Sequence, residues 1–299
     1  MVLFATFPYP LQADINDILE AIRQSEFRFA RATSEVPFYP VGWFQYRYYP
    51  ATEFRDEQGV QPAADVAEHT ISFGAVLPVY VDRRDMVLLG GDVARDAIQV
   101  KSGPYQDQRI IRLTPVAVWL HQIDKDDMLG VFAAPILSKE MVSDQPWNTN
   151  GFGGVIGMHW HSDTLQWLYG GVYEYNFGGS YLYPYLGLQW QPTSQWSVAL
   201  LFPWPSISYT PAPRWLLQLG VAPGGSSWVS QGDGFENTQT FSAWNLSAGI
   251  AYRLQGPWWL YAGAGATGFR GLTQKMPGSE SRFEAQSSPV YTLSIQFRP

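Results

Sequence analysis

The sequence predicts an all-β fold: an antiparallel transmembrane β-barrel of about 14 strands, with about 12 as the alternative, behind a short N-terminal helix. Three observations carry this reading. From residue 41 onward apolar and polar residues alternate with a period of two, as in strands whose two faces meet different surroundings. Short turn signals take turns with longer polar connections, the asymmetry expected of a barrel with short turns on one side and longer loops on the other. The 13 Trp, 17 Tyr and 17 Phe together outnumber the 19 Lys and Arg and 26 Asp and Glu, whereas charge alone makes up roughly a quarter of an ordinary soluble domain.

Two units follow: an N-terminal segment over 1–40 and the barrel over 41–299. Within the first, Leu11, Ile15, Ile18, Leu19 and Ile22 fall at helical spacing with Asp14, Asp17 and Glu20 between them. This helix reads as a segment packed against the body, or else as a plug or docking element. The opening residues lack a basic n-region and a cleavage site after a long apolar core, so residue 1 is expected to begin a mature chain.

The strands are read in order. Phe44, Tyr46 and Tyr48 against Gln45 and Arg47 start the series, and Ile71, Phe73, Ala75, Leu77, Val79 and Val81 against Thr70, Ser72 and Gly74 continue it. Leu182, Leu186, Leu188 and Trp190 alternate with Tyr183, Tyr185, Gly187 and Gln189. The run from Trp244 to Leu254 and the last run, Tyr291, Leu293, Ile295 and Phe297, repeat the pattern. Short turns are expected at 81–85, 123–127, 161–164, 191–195, 210–214 and 254–257, and longer connections at about 50–66, 92–106, 138–150, 222–238 and 270–288. FPWPS at 202–206 is read as a turn, because proline is poorly tolerated inside a paired ladder.

A soluble β-sandwich would alternate as well. Trp43, Trp160, Trp167, Trp190, Trp196, Trp215, Trp258 and Trp259 near strand ends favour an interfacial girdle. A mean hydropathy of −0.14 agrees with strands whose second face lines a lumen. The sequence resembles a bacterial outer-membrane β-barrel family known mainly as a domain of unknown function. The residues that carry the likeness are YLYPYLGLQWQPTSQWSVALLFPWPSISYT, RWLLQLGVAPGGSSW and the closing PVYTLSIQFRP. That resemblance implies the Gram-negative outer membrane, insertion from the periplasm by the barrel-insertion machinery, and outer-membrane lipid as surroundings; it supplies no substrate.

Several functions are excluded or weakened. A net charge of −7 leaves no footprint for nucleic acid. The absence of cysteine removes disulfides, thiolate metal sites and cysteine nucleophiles. No apolar run reaches the roughly 18 residues of a membrane-spanning helix. His159, His161, Ser162 and Asp163 could serve a metal or a lipid-modifying triad, but adjacency does not make a triad and no further ligand stands at fixed spacing. The carboxylates Asp126 and Asp127, Glu53, Asp56 and Glu57, and Glu280 and Glu284 lack the spacing of a calcium loop. Neither metal nor cofactor is expected. Candidates for the lumen lining are Gln45, Arg47, His159, Gln189, Gln218, Arg253, Gln296 and Arg298. The expected function is porin-like passage of small solutes, passive or gated. The alternatives are a non-conducting scaffold that binds an envelope protein partner and, third, a lipid-modifying enzyme.

Overall fold

The structure is a computed structural model that describes residues 20–22, 24–29, 31–32, 34–141, 146–175, 180–232, 235–276 and 279–299. Of the helix expected over residues 11–24, residues 11–19 and 23 lie outside the described residues, and residues 20–22 and 24 are helical. The barrel is built from β1 (Gly42–Asp56), β2 (Ala64–Val81), β3 (Asp85–Ser102), β4 (Gln108–Gln122), β5 (Asp127–Glu140), β6 (Asn148–Trp160), β7 (Leu165–Tyr175), β8 (Ser180–Thr193), β9 (Trp196–Leu201), β10 (Ser206–Ala212), β11 (Trp215–Gly232), β12 (Phe235–Gln255), β13 (Trp258–Met276), β14 (Ser279–Ala285) and β15 (Pro289–Phe297).

Each strand from β1 to β13 pairs antiparallel with the next, and β1 closes the sheet against β15, with Phe44 opposite Ile295 and Tyr46 opposite Leu293. β14 and β15 both lie between β13 and β1, so together they form one stave and the barrel has 14. Closure leaves no unpaired edge, which is the condition for strands to cross a bilayer. FPWPS is the turn between β9 and β10, as the prolines predict.

The expected alternation sets the two faces. Phe44, Phe73, Leu186, Leu246, Leu293 and Ile295 are exposed on the outside, while Ser72, Gln189, Asn245, Ser294 and Gln296 from the same strands are buried inside. Trp119, Trp167, Trp190, Trp196, Trp215 and Trp258 stand on the outer face near the short turns. Tyr173 and Tyr175 stand outside at the other end, whereas Tyr181 and Tyr183, though exposed at the rim, lie on the inner face opposite Glu174 and Val172. Along β7, Trp167 and Tyr175 are eight residues apart, about 26 Å of strand at about 3.3 Å per residue, or about 20 Å of height at a strand tilt of about 40°, close to the roughly 25 Å apolar band between two aromatic girdles. Three of the tryptophans read as girdle residues are not in it. Trp160 and Trp259 are buried within, and Trp43 sits against Gly74 on the inner face, where a Cβ would come within 2.4 Å of its ring.

The longer connections also differ from expectation. Most of 50–66, 92–106, 222–238 and 270–288 is paired strand, because β1, β3, β11, β12 and β13 run on well past the outer apolar band. Loop-like composition there reflects strand surrounded by water on its outer side, not loss of the ladder.

Candidate functional site: a lumen closed at both ends

The inner face is polar in the middle of the barrel and is capped differently at each end. At the short-turn end the cap is residues 26–29, 31–32 and 34–41, a strap that crosses the mouth turn by turn. Glu26 donates its backbone N–H to Arg83 O at 2.8 Å, and its carboxylate pairs with Arg83 Nε at 2.5 Å and Arg84 Nε at 2.6 Å. Arg28 reaches the next two turns, pairing with Asp126 at 3.3 Å and Asp163 at 2.5 Å while its guanidinium lies 4.4 Å from the centre of the Trp160 ring. Ser34 Oγ donates to Ser194 O at 2.8 Å, and Glu35 N donates to the same carbonyl at 2.7 Å.

The strap then enters the barrel. Arg31 is 2% exposed, donating from Nε to Ser197 Oγ at 3.1 Å, from Nη1 to Pro37 O at 2.9 Å and from Nη2 to Ser208 Oγ at 3.4 Å, over the Tyr39 ring. Val36, 1% exposed, packs with Leu216, Ala251 and Trp259. Burying one valine side chain contributes about 1.5–3 kcal/mol, so this half of the plug is held by modest apolar contact plus charge.

The Arg84 hydrogen bond, followed by that of Arg83, holds the Glu26 carboxyl below its ordinary value. A depressed folded-state pKa makes this anchor fully present above the ordinary glutamate pKa of about 4.3 and lost as pH falls through the depressed one. The chain has no cysteine, so a nitroxide on Ser25→Cys reports this anchor alone. We expect its spectrum to stay slow from pH 7 down to about pH 4 and to sharpen below that, and the added change Glu26→Gln to sharpen it already at pH 7. An unaltered lineshape in both would remove Glu26 as an anchor.

At the opposite end the barrel is pinched by its own wall. The outer half of β11 leans inward onto β5 and β6, which are not its neighbours in the sheet. Arg112 Nη1 of β4 donates to Gly225 O at 3.0 Å, and Asn148 Nδ2 of β6 donates to Ser227 Oγ at 3.0 Å. Gly225 permits this, with φ of 149° and only 2.2 Å between an added Cβ and Phe241 O. The lean carries Trp228, fully buried, into a cluster with Phe54, Ile110, Phe241, Ala243 and Phe283 from strands on several sides of the barrel. The inner face, polar in the middle of the barrel, is therefore aromatic here.

Between the caps lies a charged group. Asp96 Oδ2 is 3.3 Å from Arg112 Nη1, Asp96 Oδ1 accepts from Thr70 Oγ1 at 2.8 Å, and Glu68 Oε2 is 4.0 Å from Arg270 Nη2. Arg270 donates to Ser288 Oγ at 3.1 Å and lies over the rings of Tyr49, Phe54 and Phe241 at 5.1–5.3 Å. Asn150, 1% exposed, has neither amide atom in a hydrogen bond.

Of the residues expected to line the lumen, Gln45 and Arg47 lie on the inner face of β1 opposite Ser72 and Thr70. Gln189 Nε2 donates to Tyr39 OH at 2.9 Å. Arg298 Nη2 donates to Gln218 Oε1 at 3.3 Å and to Gln296 Oε1 at 2.8 Å, and its Nη1 donates to Phe38 O at 3.1 Å. These residues thus border the strap as much as the lumen. His159 differs: it stands on the outer face opposite Trp167, bonded to Asp127 Oδ1 at 2.9 Å, since the neighbouring Trp160 takes the inward position under Arg28. Arg253 lies near the end of β12 opposite the inward Trp259, 6.0 Å from the centre of its ring, and is exposed at the rim, donating to Gly256 O at 2.6 Å.

His159, His161, Ser162 and Asp163 do not converge. Ser162 Oγ accepts from Leu165 N at 3.1 Å within its turn, and Asp163 is held by Arg28. The acidic pairs are engaged locally, Glu53 with Arg55, Glu280 with Arg282, and Asp56 with the backbone of Val60 and Gln61. Among the described residues no three His, Asp or Glu side chains gather as a metal site.

Residues 120–298, more than half of the chain, match the family described as Domain of unknown function (DUF6268). The chain belongs to that family. The match begins at the end of β4 and runs through β15, so the DUF6268 region contains the leaning β11–β12 hairpin and Arg298, while the strap and β1–β3 precede it. No curated protein matches the chain. Among solved structures it is similar to an outer membrane channel from Pseudomonas putida F1, with 10% identity over 89% of this chain and 98% of that one and a TM-score of 0.46. It is also similar to a mutant of the TodX monoaromatic hydrocarbon channel, with 9% identity over 87% of this chain and 91% of that one and a TM-score of 0.44. A third is the KdgM porin, with 10% identity over 83% of this chain and 97% of that one and a TM-score of 0.29.

Proposed function

We propose that this barrel is a gated channel of the bacterial outer membrane, passing small solutes when the strap leaves the short-turn mouth and β11 leans back at the other. The observation that carries the reading is the difference in kind between wall and caps. The wall is a closed ladder, whereas the strap is held by exposed ion pairs, by single hydrogen bonds spread along it, those of Arg31 and those with Arg83 O, Ser194 O, Gln189 and Arg298, and by one buried valine. Exposed pairs of this sort contribute about 0–1 kcal/mol each, so the strap can leave without unfolding the barrel. At 14 staves the barrel stands between those whose side chains fill the interior, near eight strands, and the open porins at 16–18. Outer-membrane lipid and the barrel-insertion machinery are the partners this reading entails.

Conductance in a planar bilayer tests it with three folded proteins: the intact chain, a chain lacking residues 1–40, and that truncation carrying Trp228→Ala. We expect brief openings from the first, more frequent ones from the second and steady current from the third. Silence from all three would overturn the channel reading. It would favour the scaffold alternative, for which the aromatic cluster filling the loop end is the specific support.

A further inference from the structure

The cluster that seals the loop end is not solid. Beside it lies a cavity of about 120 Å³ walled by Phe54, Val66, Ile98, Trp228, Phe241 and Phe283. Gln106, on the exposed connection between β3 and β4, marks its outer edge, so a solute from the loop side meets it first. At its inner side stands Glu68, 6% exposed, whose Oε2 has no hydrogen-bond donor although it is buried. The nearest cation is Arg270 Nη2 at 4.0 Å, and it too has no hydrogen bond.

A dry, apolar space of comparable size, roughly 150 Å³, accommodates benzene in an engineered cavity of another protein. What distinguishes this one is the buried carboxylate oxygen without a donor, a costly arrangement that a ligand donor would relieve. Arg270 behind Glu68 makes the pair formally neutral, which favours an uncharged donor over an ammonium; a ligand carboxylate would meet Glu68 head on. We propose that this cavity binds a small, largely apolar molecule bearing one hydroxyl, of the size of phenol, with its ring among the aromatic side chains and its hydroxyl donating to Glu68 Oε2. As the solute class of the channel it rests on the gated-pathway reading; as a binding site it does not.

The test is equilibrium binding of 4-fluorophenol and 4-fluorotoluene, followed by fluorine NMR on the full chain folded in lipid nanodiscs. Val100→Trp, at the half-buried edge of the cavity, fills it, and Ala64→Phe fills it from the neighbouring strand β2; resistance to SDS on an unheated gel verifies each fold. We expect saturable binding of 4-fluorophenol to the unaltered protein, at least tenfold tighter than 4-fluorotoluene, and its loss in whichever filled variant folds. Glu68→Gln should weaken 4-fluorophenol about tenfold, because a hydrogen bond to a charged acceptor exceeds a neutral one by roughly 1–1.5 kcal/mol, and should leave 4-fluorotoluene unchanged. No saturable binding, equal binding by a filled variant, or equal affinity for the two probes would each overturn the proposal. Since none of these readouts needs current, a barrel that binds but never conducts would sink the channel reading alone.

Discussion

Replacing Arg270 by Met should destabilise the folded barrel by about 3–5 kcal/mol, the usual consequence of leaving a buried charge without its partner. The Arg270 side chain is fully buried, and it is the cation nearest Glu68. Its other contacts, the Ser288 hydroxyl and the faces of Tyr49, Phe54 and Phe241, favour the cation as well, since ring faces attract positive charge. Removing the guanidinium leaves the Glu68 carboxylate in a space lined by aromatic rings. Urea titration of reversible folding into lipid vesicles measures the loss. Adding Glu68→Gln to Arg270→Met should recover more than half of it, because the orphaned charge is then gone. A double variant no more stable than the single one would show that Arg270 acts through its ring contacts, not through Glu68.

That this pair matters was not legible in the sequence, and the reason is local. Arg270 falls in a stretch whose Gly, Ser and charge content resembles external loop, so nothing in the sequence set it against Glu68, while the backbone there is extended strand reaching beyond the membrane. Alternation identifies a strand by its apolar face toward lipid; once a strand leaves the lipid, the outward face becomes polar and the signal vanishes although the ladder continues. Phe44 and Phe73 declare their side at once because they stand in the apolar band. Phe54 and Phe283 lie above it and face inward, so a rule tuned to the band assigns them no place. The same blindness affects the rim. His159 and Trp160 are adjacent and both suit an interface; the register against Gln166 and Trp167 turns Trp160 inward, where it meets Arg28 from some 130 residues earlier in the chain. The lean of β11 left a trace in Pro223, Gly224 and Gly225, which fall in the stretch read from sequence as the longer connection 222–238; what the sequence could not supply was the partner strand across the lumen.

The strap yields the other large effect. Arg31→Ala should raise the rate at which a small charged thiol reagent modifies Thr210→Cys by roughly 10- to 100-fold, since hydrogen bonds from a charged group contribute about 1.5–3 kcal/mol and each 1.4 kcal/mol is a factor of ten. Thr210 lies inward on β10, two residues beyond the Ser208 that Arg31 holds, and is 1% exposed beneath the strap. Arg28→Ala should do much less, because its carboxylate partners are exposed and water replaces the pairs at little cost. The contrast separates two kinds of closure. If the strap is a gate, its equilibrium is governed by the residue buried in the lumen and the rim pairs only guide its return. Equal rates in the Arg31 variant and its parent, with both folded, would mean that the strap is a permanent part of the wall, and any pathway would then have to open elsewhere.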